Sequence, residues 1–137
     1  MKIFNIVLGA TIVFFVVMFF KCKKVTEITE LVKNTEKIQI TFYNDTIPDK
    51  FVEITDKDEI RKFDNYFSGI ETPLYKCGYE GQILFFMQED VAGGVRNSIS
   101  MEFNLSDGCS HVAYNYAEAL QTKELTEEGL QYLKAIK

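Results

Sequence analysis

Eighteen consecutive residues, Ile3 to Phe20 (IFNIVLGATIVFFVVMFF), carry no charge, and only Asn5 and Thr11 among them are clearly polar. As an α-helix rising about 1.5 Å per residue, such a run covers roughly 27 Å, close to the ~30 Å hydrocarbon core of a bilayer. A helix satisfies its backbone amides internally, so these side chains can face lipid without leaving a polar group unpaired. Lys2 before the run and Lys21, Lys23 and Lys24 after it are placed to reach the headgroups. A buried core helix would need a polar face, which the run lacks, and more protein around it than the rest of this short chain supplies. Residues 1–24 are therefore read as a transmembrane or signal-anchor helix.

A cleaved secretory signal has a shorter apolar stretch and small residues at its cleavage site. Phe19-Phe20-Lys21 offers none. An uncleaved single-pass anchor is the first expectation, and a lipoprotein signal with lipidation at Cys22 the second. Cys22 is also placed for palmitoylation as a juxtamembrane cysteine. In this layout the chain is similar to small anchored or lipoprotein-like bacterial envelope proteins, a likeness of architecture that assigns no residue roles.

Charge separates the anchor from the remainder of the chain. Residues 25–137 hold eleven bases against twenty acids, a net charge of −9, with one histidine and no tryptophan. So acidic a surface repels phosphate backbones, which argues against nucleic-acid binding. With 47% apolar and 26% charged residues the chain has the composition of a folded protein, and its length suits one domain.

Residues 25–36 read as a stalk or linker, in which Val25, Ile28, Leu31 and Val32 have helical spacing. A single domain is expected over 37–137. Lys37–Tyr43 alternates, with Ile38, Ile40 and Phe42 on one side, and predicts a half-buried strand. A turn through Asn44–Asp49 leads to a second strand, Lys50–Ile54. Thr55 or Asp56 caps a helix whose stripe is Ile60, Phe63 and Phe67, ending at Ser68-Gly69. Three strands are expected next, Gln82–Gln88, Val95–Leu105 and Cys109–Tyr116, the first two joined through a hairpin at Asp90–Gly94. Thr126 caps a last helix with Leu130, Leu133 and Ile136 buried, and Leu125 and Leu130 stand at the spacing of a hydrophobic staple. The order is β-β-α-β-β-β-α: an α+β domain with a small antiparallel sheet and helices on one face.

In a three-strand meander the first and third strands start at the same end of the sheet. Cys77 lies just before the first and Cys109 opens the third, so the topology predicts a disulfide between them, closing a loop 32 residues long. Reduced, buried cysteines are the alternative. His111 follows Cys109 by two residues and shares its side of the strand. That arrangement permits a Cys–His nucleophile pair or, with Cys77, three zinc ligands. There is no CxxC and no second histidine, so no metal, cofactor or catalytic set is assigned. Asp56, Asp58 and Glu59 lack the spacing of a calcium loop. Asn44-Asp45-Thr46 and Asn104-Leu105-Ser106 match the glycosylation triplet, which recurs by chance. Tyr75, Tyr79, Tyr114 and Tyr116 flank the predicted bridge in sequence and form a candidate recognition patch, against the plainer account that they fill core and rim.

Two signals conflict over orientation. Three lysines after the run against one before it place the domain in the cytoplasm by the positive-inside rule. The cysteine pair favours an oxidising compartment. The expectation is a membrane-tethered, extracytoplasmic, non-enzymatic domain that binds a protein or envelope component. A Cys/His-dependent enzyme or metal-binding protein, and a cytoplasm-facing membrane adaptor, are the alternatives.

Overall fold

The computed structural model describes residues 26–43, 49–88 and 98–137. The expected anchor of residues 1–24 with Cys22, the expected turn with its glycosylation triplet at 44–48 and the expected hairpin turn at 90–94 lie outside the described residues. Among the described residues no helix is long and apolar enough to cross a membrane.

The described residues form an α+β domain of three helices and a seven-stranded antiparallel sheet. In order these are α1 (Thr26–Lys33), β1 (Thr35–Phe42), β2 (Lys50–Ile54), α2 (Lys57–Lys62) with a 3₁₀ turn (Phe63–Asn65), β3 (Phe67–Glu71), β4 (Gly81–Met87), β5 (Ser98–Asn104), β6 (His111–Tyr116), β7 (Ala119–Leu125) and α3 (Glu127–Ile136). Across the sheet the strands run β2-β1-β4-β5-β6-β7-β3.

Side-chain alternation builds one face. Ile40, Ile83, Met101 and Tyr114 stand opposite one another across β1, β4, β5 and β6, and all four are buried. In the next row Gly81 separates Phe42 from Phe103. A methyl group there would collide with the Phe103 ring and the Thr41 carbonyl, so glycine lets the two rings meet edge to face at 5.5 Å. The helices cover this face: Ile28 and Leu31 of α1, Ile60 of α2, Phe63 of the 3₁₀ turn and Leu133 of α3 join the same core. Phe67 of the edge strand β3 meets Phe85 of β4 at 6.4 Å, although four pairings separate those strands. The sheet therefore curls around its helices as a partial barrel.

Three readings are corrected by the structure. The stretch 25–36 is not a stalk from Thr26 onward: α1 buries Ile28, Leu31 and Val32, and β1 already starts at Thr35. The second helix stops at Lys62, and Phe67 begins a strand instead of completing a helical stripe. A buried phenylalanine satisfies either pattern, and pairing with β7 decides between them. Finally, β7 was not legible. Its turn, Ala117-Glu118, takes positive φ of 48° and 66° without glycine or asparagine, so the usual hairpin signal is missing.

Both predicted caps are present. Asp56 Oδ1 accepts from the amides of Asp58 and Glu59 at 3.0 and 2.9 Å, and Thr126 Oγ1 accepts from the Gly129 amide at 3.1 Å. Thr126 Oγ1 also donates to the Asn65 carbonyl, and the Thr126 amide to the carbonyl of Tyr66, which docks the start of α3 on the 3₁₀ turn. Gly129 makes that approach feasible, since a Cβ would overlap the backbone of Tyr66. In an open helix Gly→Ala would gain about 1 kcal/mol. Here overpacking against backbone, typically about 1–3 kcal/mol, outweighs it. Gly129→Ala is expected to lower the melting temperature by several degrees. A variant that melts higher would show that α3 does not sit this close.

Candidate functional site

The strand order generates the most distinctive surface. β3 ends beside β7 at one edge, while β4 begins in the middle, so residues 72–80 must cross β7, β6 and β5. Four strand spacings make roughly 19 Å, and nine extended residues reach about 30 Å. The crossing is made on the face opposite the helices, as its contacts show. His111, Ala113, Asn104 and Thr122 all point to that face, by their register with Glu124 and Glu102.

The loop is held along its length as a strap. Thr72 exchanges backbone and side-chain hydrogen bonds with Thr122. The side-chain amide of Asn104, a buried residue, donates to the carbonyls of Gly78 at 2.9 Å and Cys77 at 3.3 Å. Glu80 N–H donates to the Phe103 carbonyl at 2.8 Å, which starts β4. Between these points the sulfurs of Cys77 and Cys109 lie at disulfide distance, with their Cα atoms 6.4 Å apart. The glycosylation triplet at Asn104 is thereby occupied: its side-chain amide is committed to the strap.

Beneath the strap lies His111, with 0% of its surface exposed. The Tyr75 and Tyr79 rings pack on it at 5.1 and 5.9 Å. Its Nδ1 lies 2.6 Å from the Cys109 carbonyl oxygen, and Nε2 has no hydrogen-bond partner among the described residues. The structure thus brings Cys77, Cys109, His111, Tyr75 and Tyr79 together. While the cysteines are bonded, neither sulfur is a thiolate nucleophile. The imidazole has no open path to a substrate. Among the described residues no three metal-ligating side chains converge.

Tyr114 and Tyr116 go elsewhere. They point to the helix side of β6, where Tyr114 is buried and Tyr116 packs at the core's margin. The four tyrosines are therefore two pairs on opposite faces. Burial pushes the Tyr114 hydroxyl up to about 12, and the carboxylates of Glu27 and Glu71 add to the shift. That hydroxyl has no partner among the described residues.

One surface could not be located from sequence. Ile70 of β3, Leu74 of the strap and Leu120 of β7 are 62%, 61% and 54% exposed. They belong to two paired strands and the loop that leaves them, so the β3/β7 edge exposes three large apolar side chains to solvent. Finding it needed the β3–β7 pairing, which no local pattern announces. No protein-family model, curated protein or solved structure matches the chain.

A closed loop of 32 residues implies stabilisation of roughly 3–4 kcal/mol on the loop-entropy account. Cys109→Ser in oxidised protein is expected to lower the melting temperature by about 10 °C or more. Reductant should lower the parent to the same value, and an unchanged melting point would sink the bridge. Tyr114→Phe tests the other face. Near pH 7 it should melt no lower than the parent, because the hydroxyl removed is buried and unpaired. Above pH 10 the unfolded chain's tyrosine ionises while the folded one stays neutral to about 12. The parent therefore loses stability as pH rises through that window, and the phenylalanine variant loses less. Parallel curves from pH 8 to 12 would contradict this.

Proposed function

We propose that the chain is a non-enzymatic binding domain, tethered to a membrane by residues 1–24 and displayed on the extracytoplasmic side, where it contacts a protein or envelope component. The observation that carries this reading is the Cys77–Cys109 pair on the strap. Cys77 is exposed and Cys109 half-buried, so the bond lies open to cellular reductants. Such a bond persists outside the cytoplasm and is reduced within it. The apolar run Ile3–Phe20 supplies the tether. The exposed side chains of Ile70, Leu74 and Leu120 are of the kind that protein partners cover.

One observation favours a cytoplasm-facing adaptor instead: the lysines at 21, 23 and 24. The enzyme or metal-protein alternative requires reduced cysteines. One experiment separates all three. Full-length protein is trapped with a thiol reagent during denaturing lysis and its labelled cysteines are counted, alongside protease digestion of intact cells. The proposal expects Cys77 and Cys109 to be unlabelled and the domain to be digested. Labelling of both cysteines revives the thiol chemistry, and protection from added protease places the domain inside.

A further inference from the structure

α1 and α2 leave a cleft of about 330 Å³ between them, the lower end of the size range of small-ligand sites. Its floor includes the buried side chains of Val32 and Ile60. Its rim carries Lys33, Lys57 and Arg61, and its one acid, Asp64, accepts a hydrogen bond from Thr29 at 2.7 Å.

The charge here runs against the rest of the domain. Elsewhere four lysines pair with acids, Lys37 with Glu53, Lys123 with Glu71, Lys134 with Asp107 and Lys137 with Glu80, while among the described residues Lys62 and Lys76 stand singly on the surface. Lys33 and Lys57 pair with no acid among the described residues, although acids outnumber bases by nine from residue 25 onward. Arg61 contacts Asp58 at 2.9 Å, but both side chains are largely exposed, so a ligand can displace that contact at little cost. Three cations less the carboxylates of Asp64 and Asp58 leave the cleft with a charge near +1.

The geometry points to an anion site for a phosphate monoester: a doubly charged head at Lys33, Lys57 and Arg61, with a short apolar portion over Val32 and Ile60. A phosphate group is drawn by the net positive charge and offers several acceptors to the N–H donors that line the cleft. Its source is either a soluble phosphate ester or a lipid headgroup. Five residues, 21–25, separate the apolar run from α1, at most about 18 Å of chain. On the tethered reading the start of α1 therefore lies within about 18 Å of the headgroups, and Lys33 about 10 Å further along the helix. Only the lipid source depends on that reading; the anion site does not.

The test follows backbone amide shifts of the full-length chain in neutral detergent. The probes are inorganic phosphate and a short-chain phosphatidic acid, with the matching phosphatidylcholine as control. Shifts at Val32, Lys33, Ile60 and Arg61 that saturate are expected with both anions and absent with the control. Lys33→Glu combined with Lys57→Glu should weaken binding about tenfold or more, and Lys76→Glu on the strap should leave it unchanged. If the double reversal impairs folding, Lys33→Gln with Lys57→Gln replaces it. Tighter binding of phosphatidic acid assigns the lipid, and equal binding assigns the soluble anion. No saturable shift at these residues, or shifts that survive the lysine changes, overturns the site. A chain that stays dispersed without detergent would refute the tether while leaving the cleft result intact.

Discussion

The pairing of β3 with β7, at the edge farthest from β2, decides how the rest of the chain must travel. From β2 the chain reaches β3 by way of α2 and its 3₁₀ turn, which lie across the apolar face. From β3 it returns to the middle of the sheet over the other face, as the strap. One strand position thus sets up both layers: helices where Ile40, Ile83 and Met101 need cover, and a loop where His111 and Asn104 need partners. The curl that brings Phe67 to Phe85 is part of the same solution, because a flat seven-stranded sheet could not close around so few helical residues.

Much of this was legible where local chemistry speaks for itself. The alternation of Ile38, Ile40 and Phe42 and the caps at Asp56 and Thr126 are properties of a few neighbouring residues. So is the last helix, with Leu130 and Leu133. The meeting of Cys77 with Cys109 was readable because strand parity in a meander puts their ends together, whatever the residues between. β3 and β7 were not readable. Ala119–Leu125 is rich in good helix formers, and its buried positions, Lys123 and Leu125, give an alternation only two residues deep. Lys123 is buried because Glu71, across the strand pair, takes its ammonium at 3.3 Å. A pattern search counts that lysine as exposed. The tyrosines show the same limit: proximity in sequence says nothing of face, and parity sends Tyr114 away from Tyr75 and Tyr79.

Electrostatics then fastens what packing has arranged. Glu80, where the strap enters β4, accepts from Lys137 at 2.6 Å, from Ser106 Oγ at 2.8 Å and from the Leu105 amide at 3.1 Å. Burial alone would raise its carboxyl's pKa, but these donors together hold it below the usual value. One carboxylate thereby ties the end of α3, the turn after β5 and the start of β4. Lys134 reaches Asp107 in the same turn at 3.5 Å. Lys33 and Lys57, by contrast, take part in no such clamp and face the α1–α2 cleft.

The strap is held by the hydrogen bonds from Asn104 and Thr122, at about 1 kcal/mol each, and by the partial burial of Tyr75 and Tyr79. Covering His111 works in the opposite direction, since its Nε2 gains no partner among the described residues. The roughly 3–4 kcal/mol from cross-linking Cys77 to Cys109 exceeds any one of these contacts. Reduction would remove that contribution and loosen the cover over the sheet face that carries Asn104, His111, Ala113 and Thr122. On the proposed extracytoplasmic reading, compartment and strap conformation are thus a single physical question, and the redox state of one bond answers both.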